Sequence, residues 1–308
     1  MTENGEWVVW LNGKLVPEHE ALVPIRDRGF KYGDAAFDTT RTFGHRIFKL
    51  EEHLDRLYNS LRYLQIDPGV SRDTLVKATE DVAAHCLKAV GPDEDIWLTQ
   101  RVTRGLDPAD RARRPDYPER TVIVEAAPLP LRQRSEAYKN GLKIVTPSVR
   151  RPSPDTVSPR AKTHNYLNLV LGDLEAQARD PDAVAMLLDT NGNFAEGKGS
   201  NIFFVKEGAI LTPQERYVLP GVSRQTTIDL ANAAGLRVEN VDLDFYDAYS
   251  SAESFITSTS FCICPIASIN GVTIGDGAVP GPVTKQLIDR YVEFVDFDWY
   301  GQYLRAAN

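Results

Sequence analysis

The sequence predicts an α+β fold in two domains. Three observations carry this expectation. The chain has 308 residues, long for one hydrophobic core and comfortable for two. Helical and strand patterns mix without the strict βαβ rhythm of a doubly wound sheet. The stretch "APLPLRQRSEAYKNG" interrupts the pattern, first with prolines and then with charge. That break assigns residues 1–130 to a smaller N-terminal α/β domain, 131–140 to an interdomain linker and 141–308 to a larger C-terminal domain.

The elements follow in order. "WVVWLNGKLVP" sets Asn-Gly between two apolar runs, a strong hairpin signal. "HRIFKL" reads as a strand. In "LEEHLDRLYNSLRYL", Leu54, Leu57, Leu61 and Leu64 recur at helical spacing behind first-turn acids, which predicts an amphipathic helix. A second helix is expected over 72–89, then two strands, "DIWLTQRVTRG" and "RTVIVEAAPL", joined by the arginine-rich loop "RGLDPADRARRPDYPE". Past the break come the strand "LKIVTPSV" and a helix carrying Leu167, Val170, Leu171, Leu174 and Ala178. "AVAMLLDTNGNFAEG" is a strand entering a turn, and "NIFFVKEGAILTP" a hairpin turning at Glu207-Gly208. "LPGVSRQTTIDLANAAG" is a glycine-led helix ending at Gly235. "SFITSTSFCICPIASING" is a strand region, and "GPVTKQLIDRYVEFV" the last long helix.

Composition narrows the function. An apolar content of 42% and a charged content of 25% describe an ordinary globular protein. The net charge of −8 argues against a general nucleic-acid binder. No apolar run approaches the roughly 20 residues of a membrane helix. "MTENGEWVVWLNGKLV" lacks the basic start and apolar run of a leader. Cys86, Cys262 and Cys264 have no zinc-site spacing and read as buried reduced thiols, so the expected location is the cytoplasm.

Four stretches carry chemistry. Lys162 stands where an extended stretch enters a helix, with Tyr166 four positions on. A lysine amine attacks aldehydes when burial or a cationic neighbour lowers its pKa, and a phenol one helical turn away could face it. Glu196 is bracketed by Ala195, Gly197, Gly199 and Ser200, so backbone could approach a ligand closely beside a carboxylate. Gly221, Val222 and Ser223 open a helix whose N–H groups and dipole favour an anion. Thr257 to Ser260 put hydroxyls at a strand end. Each alone is common: a solvated lysine, a turn acid, a capped helix, a polar strand end. Together they are the parts needed to hold pyridoxal 5'-phosphate (PLP).

"EHLDRL", "AKTHNYLN", "AEGKGSNIFFVKEG" and "LPGVSRQTTIDLA" make the chain resemble the class IV (fold-type IV) PLP-dependent aminotransferases over nearly its whole length. These include branched-chain, D-amino-acid and (R)-selective amine transaminases and the aminodeoxychorismate lyases. The resemblance implies a small α/β domain, a larger pseudo-barrel domain with PLP in the cleft between them, and a homodimer. It implies that Lys162 is the catalytic residue joined to the cofactor aldehyde and that Tyr166 bonds the phenolic oxygen. Glu196 would bind the ring nitrogen and Leu219 would pack on the ring, while Arg56, Val222, Ser223 and Thr259 would hold the phosphate.

The substrate pocket is expected from Tyr32, Phe37, Thr39, Arg41, Trp97, Thr99, Ser260, Phe261, Arg111 and Arg113. Tyr32, Phe37 and Arg41 look like the branched-chain pattern, whereas Thr39 replaces a frequent glycine. Branched-chain enzymes commonly carry a tyrosine and an arginine where Trp97 and Thr99 stand. Losing that guanidinium weakens a strict amino-acid enzyme, because an unpaired carboxylate in an apolar pocket is costly. "VTRGLD" is similar to the (R)-amine transaminases, without their usual acid at Thr99. Phe261 either narrows the pocket or turns into the core. One of Arg111, Arg113 and Arg114 could swing in for a keto-acid carboxylate and out for an apolar amine. The expectation is a ping-pong transaminase moving an amino group from an (R)-amine to a keto acid such as pyruvate. A branched-chain aminotransferase is the alternative, and a PLP lyase or a catalytically silent scaffold stands behind both.

Overall fold

The computed structural model describes residues 6–306; residues 1–5, where the stretch read as lacking a leader begins, and residues 307–308 lie outside the described residues. The chain forms two compact units. One runs to Leu129 and also takes in Ala161–Asn165; the other comprises Pro130–Arg160 and the chain from Tyr166 on.

In the first unit, β1 (Val8–Leu11), β2 (Lys14–Pro17), β3 (Ala35–Phe43), β4 (Arg46–Ile47), β5 (Ile96–Thr103) and β6 (Val122–Pro128) make one antiparallel sheet, ordered β2-β1-β6-β5-β3-β4. Asn12 and Gly13 both take positive φ, 49° and 93°, as the tight β1–β2 turn demands. The helices are α1 (Arg28–Tyr32), α2 (Leu50–Leu64), α3 (Arg72–Cys86) and α4 (Pro108–Arg113). Leu54, Leu57 and Leu61 of α2 and Leu75, Ala78 and Val82 of α3 bury against Ala36, Leu98, Val102 and Val124 of the sheet. Strand alternation therefore sends Phe37, Thr39 and Arg41 of β3, and Trp97, Thr99 and Arg101 of β5, to the opposite face. "HRIFKL" is a strand only at Arg46–Ile47, because Lys49 adopts the left-handed conformation (φ 49°) and turns the chain into α2.

The second unit contains β7 (Leu142–Val145), β8 (Val184–Leu188), β9 (Phe194–Gly197), β10 (Ser200–Lys206), β11 (Ala209–Pro213), β12 (Arg237–Val241), β13 (Glu253–Ser258), β14 (Cys262–Ile269) and β15 (Val272–Thr273). Neighbour pairing runs β10-β13-β14-β7-β8-β9, and β9 pairs back to β10, so the path closes into a pseudo-barrel. Strand β10 achieves this by sharing one edge. Its Ser200 and Asn201 pair with β9, while Phe204 to Lys206 pair with β11. The helices are α5 (Leu131–Asn140), α6 (Leu167–Arg179), α7 (Val222–Ala233), α8 (Phe245–Tyr249), α9 (Pro282–Val295) and α10 (Trp299–Arg305). Buried Glu253 on β13 accepts from the first free N–H groups of α9, at Val283 and Thr284, 2.8 Å each.

Three expectations change. Residues 131–140 are the helix α5 of the second unit and not a linker; Pro130 sits at its N-cap, where proline costs no hydrogen bond. Its buried face is only Ser135 and Tyr138, with the Tyr138 ring stacked 4.5 Å from Tyr303 of α10. Residues 161–165 belong to the first unit. On α6 the buried residues are Leu169, Gly172 and Ala176, while Leu167, Leu171 and Leu174 are exposed. The three cysteines are free and buried, and no described helix is long and apolar enough to cross a membrane. Leu57→Ala, at a fully buried position of α2, should cost about 2–5 kcal/mol in urea unfolding. A loss below about 1 kcal/mol would show that this face does not hold the first unit together.

Candidate active site

In the first unit the site is built around Lys162. Its segment is extended, not helical: the Phe37 N–H donates to Lys162 O (3.0 Å) and the His164 N–H to Ala35 O (3.0 Å), beside β3. Helix α6 starts only at Leu167, so Lys162 and Tyr166 are not one helical turn apart. The Lys162 N–H donates to Ser60 Oγ (2.9 Å), and Ser60 Oγ donates to Arg56 O (2.9 Å). Lys162 is buried, with its ammonium 4.6 Å from the centre of the Phe37 ring.

Arg56 lies one helical turn before Ser60. Its Nε and Nη2 donate to the two oxygens of Asp38, 2.8 Å each, a bidentate pair on the helix-covered side of β3. His53 Nδ1 donates to Asp38 Oδ1 (2.7 Å). Burial opposes the charge on Asp38, but Arg56 and His53 overcome it and hold that carboxyl well below the ordinary carboxylate range. Burial pushes His53 down against the pull of Asp38, so its imidazole is neutral and its Nδ1 carries the proton. Asp38, His53 and Ser60 were not read from the sequence. Their partners stand on other elements or one helical turn away, and no spacing rule joins a strand acid to a helix arginine.

In the second unit, Glu196 on β9 is buried, with one donor on each oxygen and acceptor capacity to spare. Its Oε1 accepts from Arg151 Nε (2.8 Å) and its Oε2 from the Leu219 N–H (2.9 Å). Asn201 Nδ2 donates to Leu219 O (3.0 Å), so both polar ends of that residue are pinned. Register puts Glu196 opposite Asn201 and Asn201 opposite Thr257, a polar row across β9, β10 and β13. Helix α7 begins beside this row with Gly221 as N-cap and no side-chain cap. A Cβ at Gly221 would collide with the Asn201 side chain, so only glycine brings the helix start this close. Val222 and Ser223 follow, both buried. Thr257 Oγ1 is buried with no hydrogen-bond partner among the described residues. Such an orphan is costly unless a ligand oxygen meets it. Tyr166, half-buried at the start of α6, packs on the cluster of Val145 and Leu169.

The residue types in each unit fit PLP. In the second, an uncapped helix start and an orphaned hydroxyl suit a phosphate and a buried carboxylate suits a protonated ring nitrogen; in the first, Lys162 is an amine and Arg56 a cation of the kinds the cofactor needs. Arg151 and Asn201 are additions to the sequence reading, and among the hydroxyls of Thr257 to Ser260 the orphan atom singles out Thr257.

The expected pocket residues are placed as follows. Thr39 and Thr99 face each other across β3 and β5, their Oγ1 atoms 3.0 Å apart, and Trp97 stands opposite Arg41. Arg41 is buried, its guanidinium 3.8 Å from Asp95 and 4.1 Å from the Phe43 ring centre, so its charge is answered inside its own unit. Asp95 also accepts from Thr42 Oγ1 (2.6 Å) and the His45 N–H (3.0 Å). Tyr32, ending α1, is exposed. Arg111 pairs with Glu119 (2.7 Å) and Arg114 with Asp116 (3.1 Å), and Arg113 is exposed. Thr259, Ser260 and Phe261 form the turn between β13 and β14. Arg134 of α5 donates to Ser260 Oγ and lies 4.1 Å from the Phe261 ring centre. Tyr138 Oη donates to Phe261 O (2.5 Å) and Tyr303 Oη to Ser260 O. This turn is thus committed to α5 and α10. Arg101, which the sequence reading passed over in favour of Thr99, lies opposite Phe37 on the same face.

Thr257→Val removes the orphan hydroxyl at constant shape. The ligand-free protein should keep or slightly gain stability, while PLP retention on dialysis should fall about 10- to 100-fold, the scale of one hydrogen bond to a charged group. Unchanged PLP retention would exclude that hydroxyl from the phosphate site.

The comparisons agree with this chemistry. Residues 35–269 match the family Amino-transferase class IV. A putative branched-chain-amino-acid aminotransferase of Methanocaldococcus jannaschii is 36% identical over 289 residues, covering 92% of this chain and 94% of that protein. The D-alanine aminotransferase of Listeria innocua is 31% identical, covering 92% and 95%. The solved structure of the Escherichia coli branched-chain amino acid aminotransferase superposes with a TM-score of 0.84 at 27% identity, covering 94% of this chain and 95% of that one. That of a second branched-chain amino acid aminotransferase, complexed with N-(5'-phosphopyridoxyl)-L-glutamate, gives 0.82 at 28% identity, covering 95% of each chain. A chain with this match, this barrel and these residues belongs to the class IV aminotransferases and works with PLP.

Proposed function

We propose that the chain is an aminotransferase of the branched-chain type, moving an amino group between aliphatic α-amino acids and 2-oxo acids. The observation that carries this reading is the sheet face reached by the Lys162 ammonium. Phe37 and Trp97 offer rings there, and the Thr39 and Thr99 hydroxyls satisfy each other at 3.0 Å. An aliphatic side chain can lie against the Phe37 ring and this hydroxyl pair without stranding either threonine. The names of the Methanocaldococcus jannaschii and Escherichia coli relatives support the same substrate class. A second reading, (R)-amine donors with a keto acid such as pyruvate as acceptor, is favoured by Thr99. A threonine stands where branched-chain enzymes commonly carry an arginine, and a donor without a carboxylate needs no guanidinium there.

When bound, PLP supplies the aldehyde that carries the amino group and a ring that stabilises the electron pair left on the substrate carbon. Lys162 would anchor it, and the amine of Lys162, once released by the donor, would serve as the base for the donor α-carbon proton. Glu196 would accept from the protonated ring nitrogen, with Arg151 as its countercharge. Tyr166 would bond the ring oxygen, Leu219 would pack on the ring, and Arg56, Val222, Ser223, Thr257 and Thr259 would hold the phosphate. One product leaves before the second substrate binds, so kinetics are ping-pong.

The proposed assembly is a homodimer. Leu167, Leu171 and Leu174 form an exposed apolar stripe on α6, of the kind that oligomer interfaces cover. Three buried, free thiols support a reducing, cytoplasmic location.

Two measurements test this. Loss of the PLP-form absorbance should be fastest with L-leucine, about 10-fold or more over D-alanine and both enantiomers of 1-phenylethylamine. Dominance of the (R)-amine would install the second reading, and silence with all four donors would sink both. Sedimentation should give twice the chain mass, and joint replacement of Leu171 and Leu174 by Asp should lower it. A wild-type monomer would refute the dimer.

A further inference from the structure

The preceding reading needs a cation for the substrate carboxylate, and Arg41 is answered by Asp95 while Thr99 has none to give. The guanidinium of Arg101 lies on the Lys162 side of the sheet. Register sets Arg101 opposite Phe37, and its Cζ is 5.2 Å from the centre of the ring that the Lys162 ammonium approaches at 4.6 Å. Its side chain is 33% exposed, unlike that of Arg41 at 1%, so a small molecule can reach it.

The present partner of Arg101 is Glu125, which β6 places opposite Thr99 on the same face. Arg101 Nε and Nη2 both converge on one oxygen, Glu125 Oε1, 2.7 Å each. This is not the two-oxygen fork that a guanidinium forms with a well-placed carboxylate, as Arg56 does with Asp38. Both side chains are about a third exposed, so solvent screens the pair and a competitor can displace it. Arg101 Nη1 meets His164 Nε2 at 3.4 Å. Burial and the Arg101 charge push His164 down to about 4, so that neighbour adds no second positive charge at neutral pH.

We propose that Arg101 receives the substrate's α-carboxylate, and that Glu125 is an exchangeable counter-ion that holds the guanidinium while no carboxylate is bound. The proposal rests on the amino-acid and oxo-acid reading of the preceding section. It assigns the role to a strand residue near Lys162 and not to Arg111, Arg113 or Arg114. It also explains how one wall could accept substrates with and without a carboxylate: without one, Glu125 keeps the charge paired.

The test is equilibrium binding of 4-methylvalerate, a branched carboxylate with no amino group, to the PLP-loaded enzyme by calorimetry. Arg101→Gln should weaken binding about 10- to 100-fold, the scale of charge-assisted hydrogen bonds, and Arg101→Lys should recover part of the loss. Glu125→Gln removes the competitor and should tighten binding several-fold. The KM for 2-oxo acids should move in the same directions. A purely structural ion pair predicts otherwise: both glutamine variants would weaken binding together. That result, or unchanged affinity in Arg101→Gln, overturns the proposal, provided thermal melts show both variants folded; should Arg101→Gln not fold, Arg101→Lys and Glu125→Gln decide alone. If the wild-type enzyme processes no 2-oxo acid, the preceding reading falls and this one with it. If it does and Arg101→Gln binds normally, only this inference falls.

Discussion

Main-chain hydrogen bonds set the position of the candidate lysine, and one hydroxyl joins it to α2. Ser60 Oγ accepts from the Lys162 N–H and donates to the Arg56 carbonyl, so a single side chain ties the lysine backbone to the turn of α2 that carries Arg56. The main chain of Lys162 is held again by the Phe37 N–H on β3. The side chain is therefore aimed by its backbone, with Nζ 4.6 Å from the centre of the Phe37 ring. Because α2 packs through Leu54, Leu57 and Leu61 onto the sheet, the core of the first unit sets where that backbone lies. Burial of this helix thus supports preorganisation directly: core packing fixes α2, α2 fixes Ser60, and Ser60 fixes the lysine.

Three arginine–carboxylate pairs, two in the first unit and one in the second, involve candidate residues, and their burial sorts their work. Arg56–Asp38 and Arg151–Glu196 are largely out of solvent and geometrically well satisfied. Breaking such a pair strands a buried charge, so these side chains are held in place whatever is bound. Arg101–Glu125 is about a third exposed and shares a single oxygen, and a solvent-screened pair of this kind contributes little to stability. The first two suit groups that must not move during a catalytic cycle, and the third suits a group that changes partners.

Much of this was legible in the sequence where local rules act alone. The leucine spacing of "LEEHLDRLYNSLRYL" corresponds to a helix with bounds Leu50–Leu64, and Asn12-Gly13 makes the hairpin turn it suggests. The family was legible too, because "AKTHNYLN" and "LPGVSRQTTIDLA" keep their residues in order. Helix α5 was not, since its buried face is Ser135 and Tyr138, which carries no apolar period. Nor could the sequence show that Leu167, Leu171 and Leu174 of α6 face outward while Leu169, Gly172 and Ala176 face in, because both faces are apolar. Asp38, Arg151 and Arg101 owe their roles to pairing across elements, and a linear pattern does not contain that information. Arg101 was hidden by one strand pleat: attention to Thr99 stopped two residues short on the same face.

The split edge of β10 has a consequence of its own. The barrel closes through only two residue pairs, Ser200 with Gly197 and Asn201 with Glu196. This short seam, no longer than those of β7–β8 and β8–β9, coincides with the carboxylate that would grip the vitamin's ring. A molecule bound there acts as a rivet, since it favours the closed cylinder over any frayed form. Loading with vitamin B6 would then tighten the stave at Glu196 as well as fill the site.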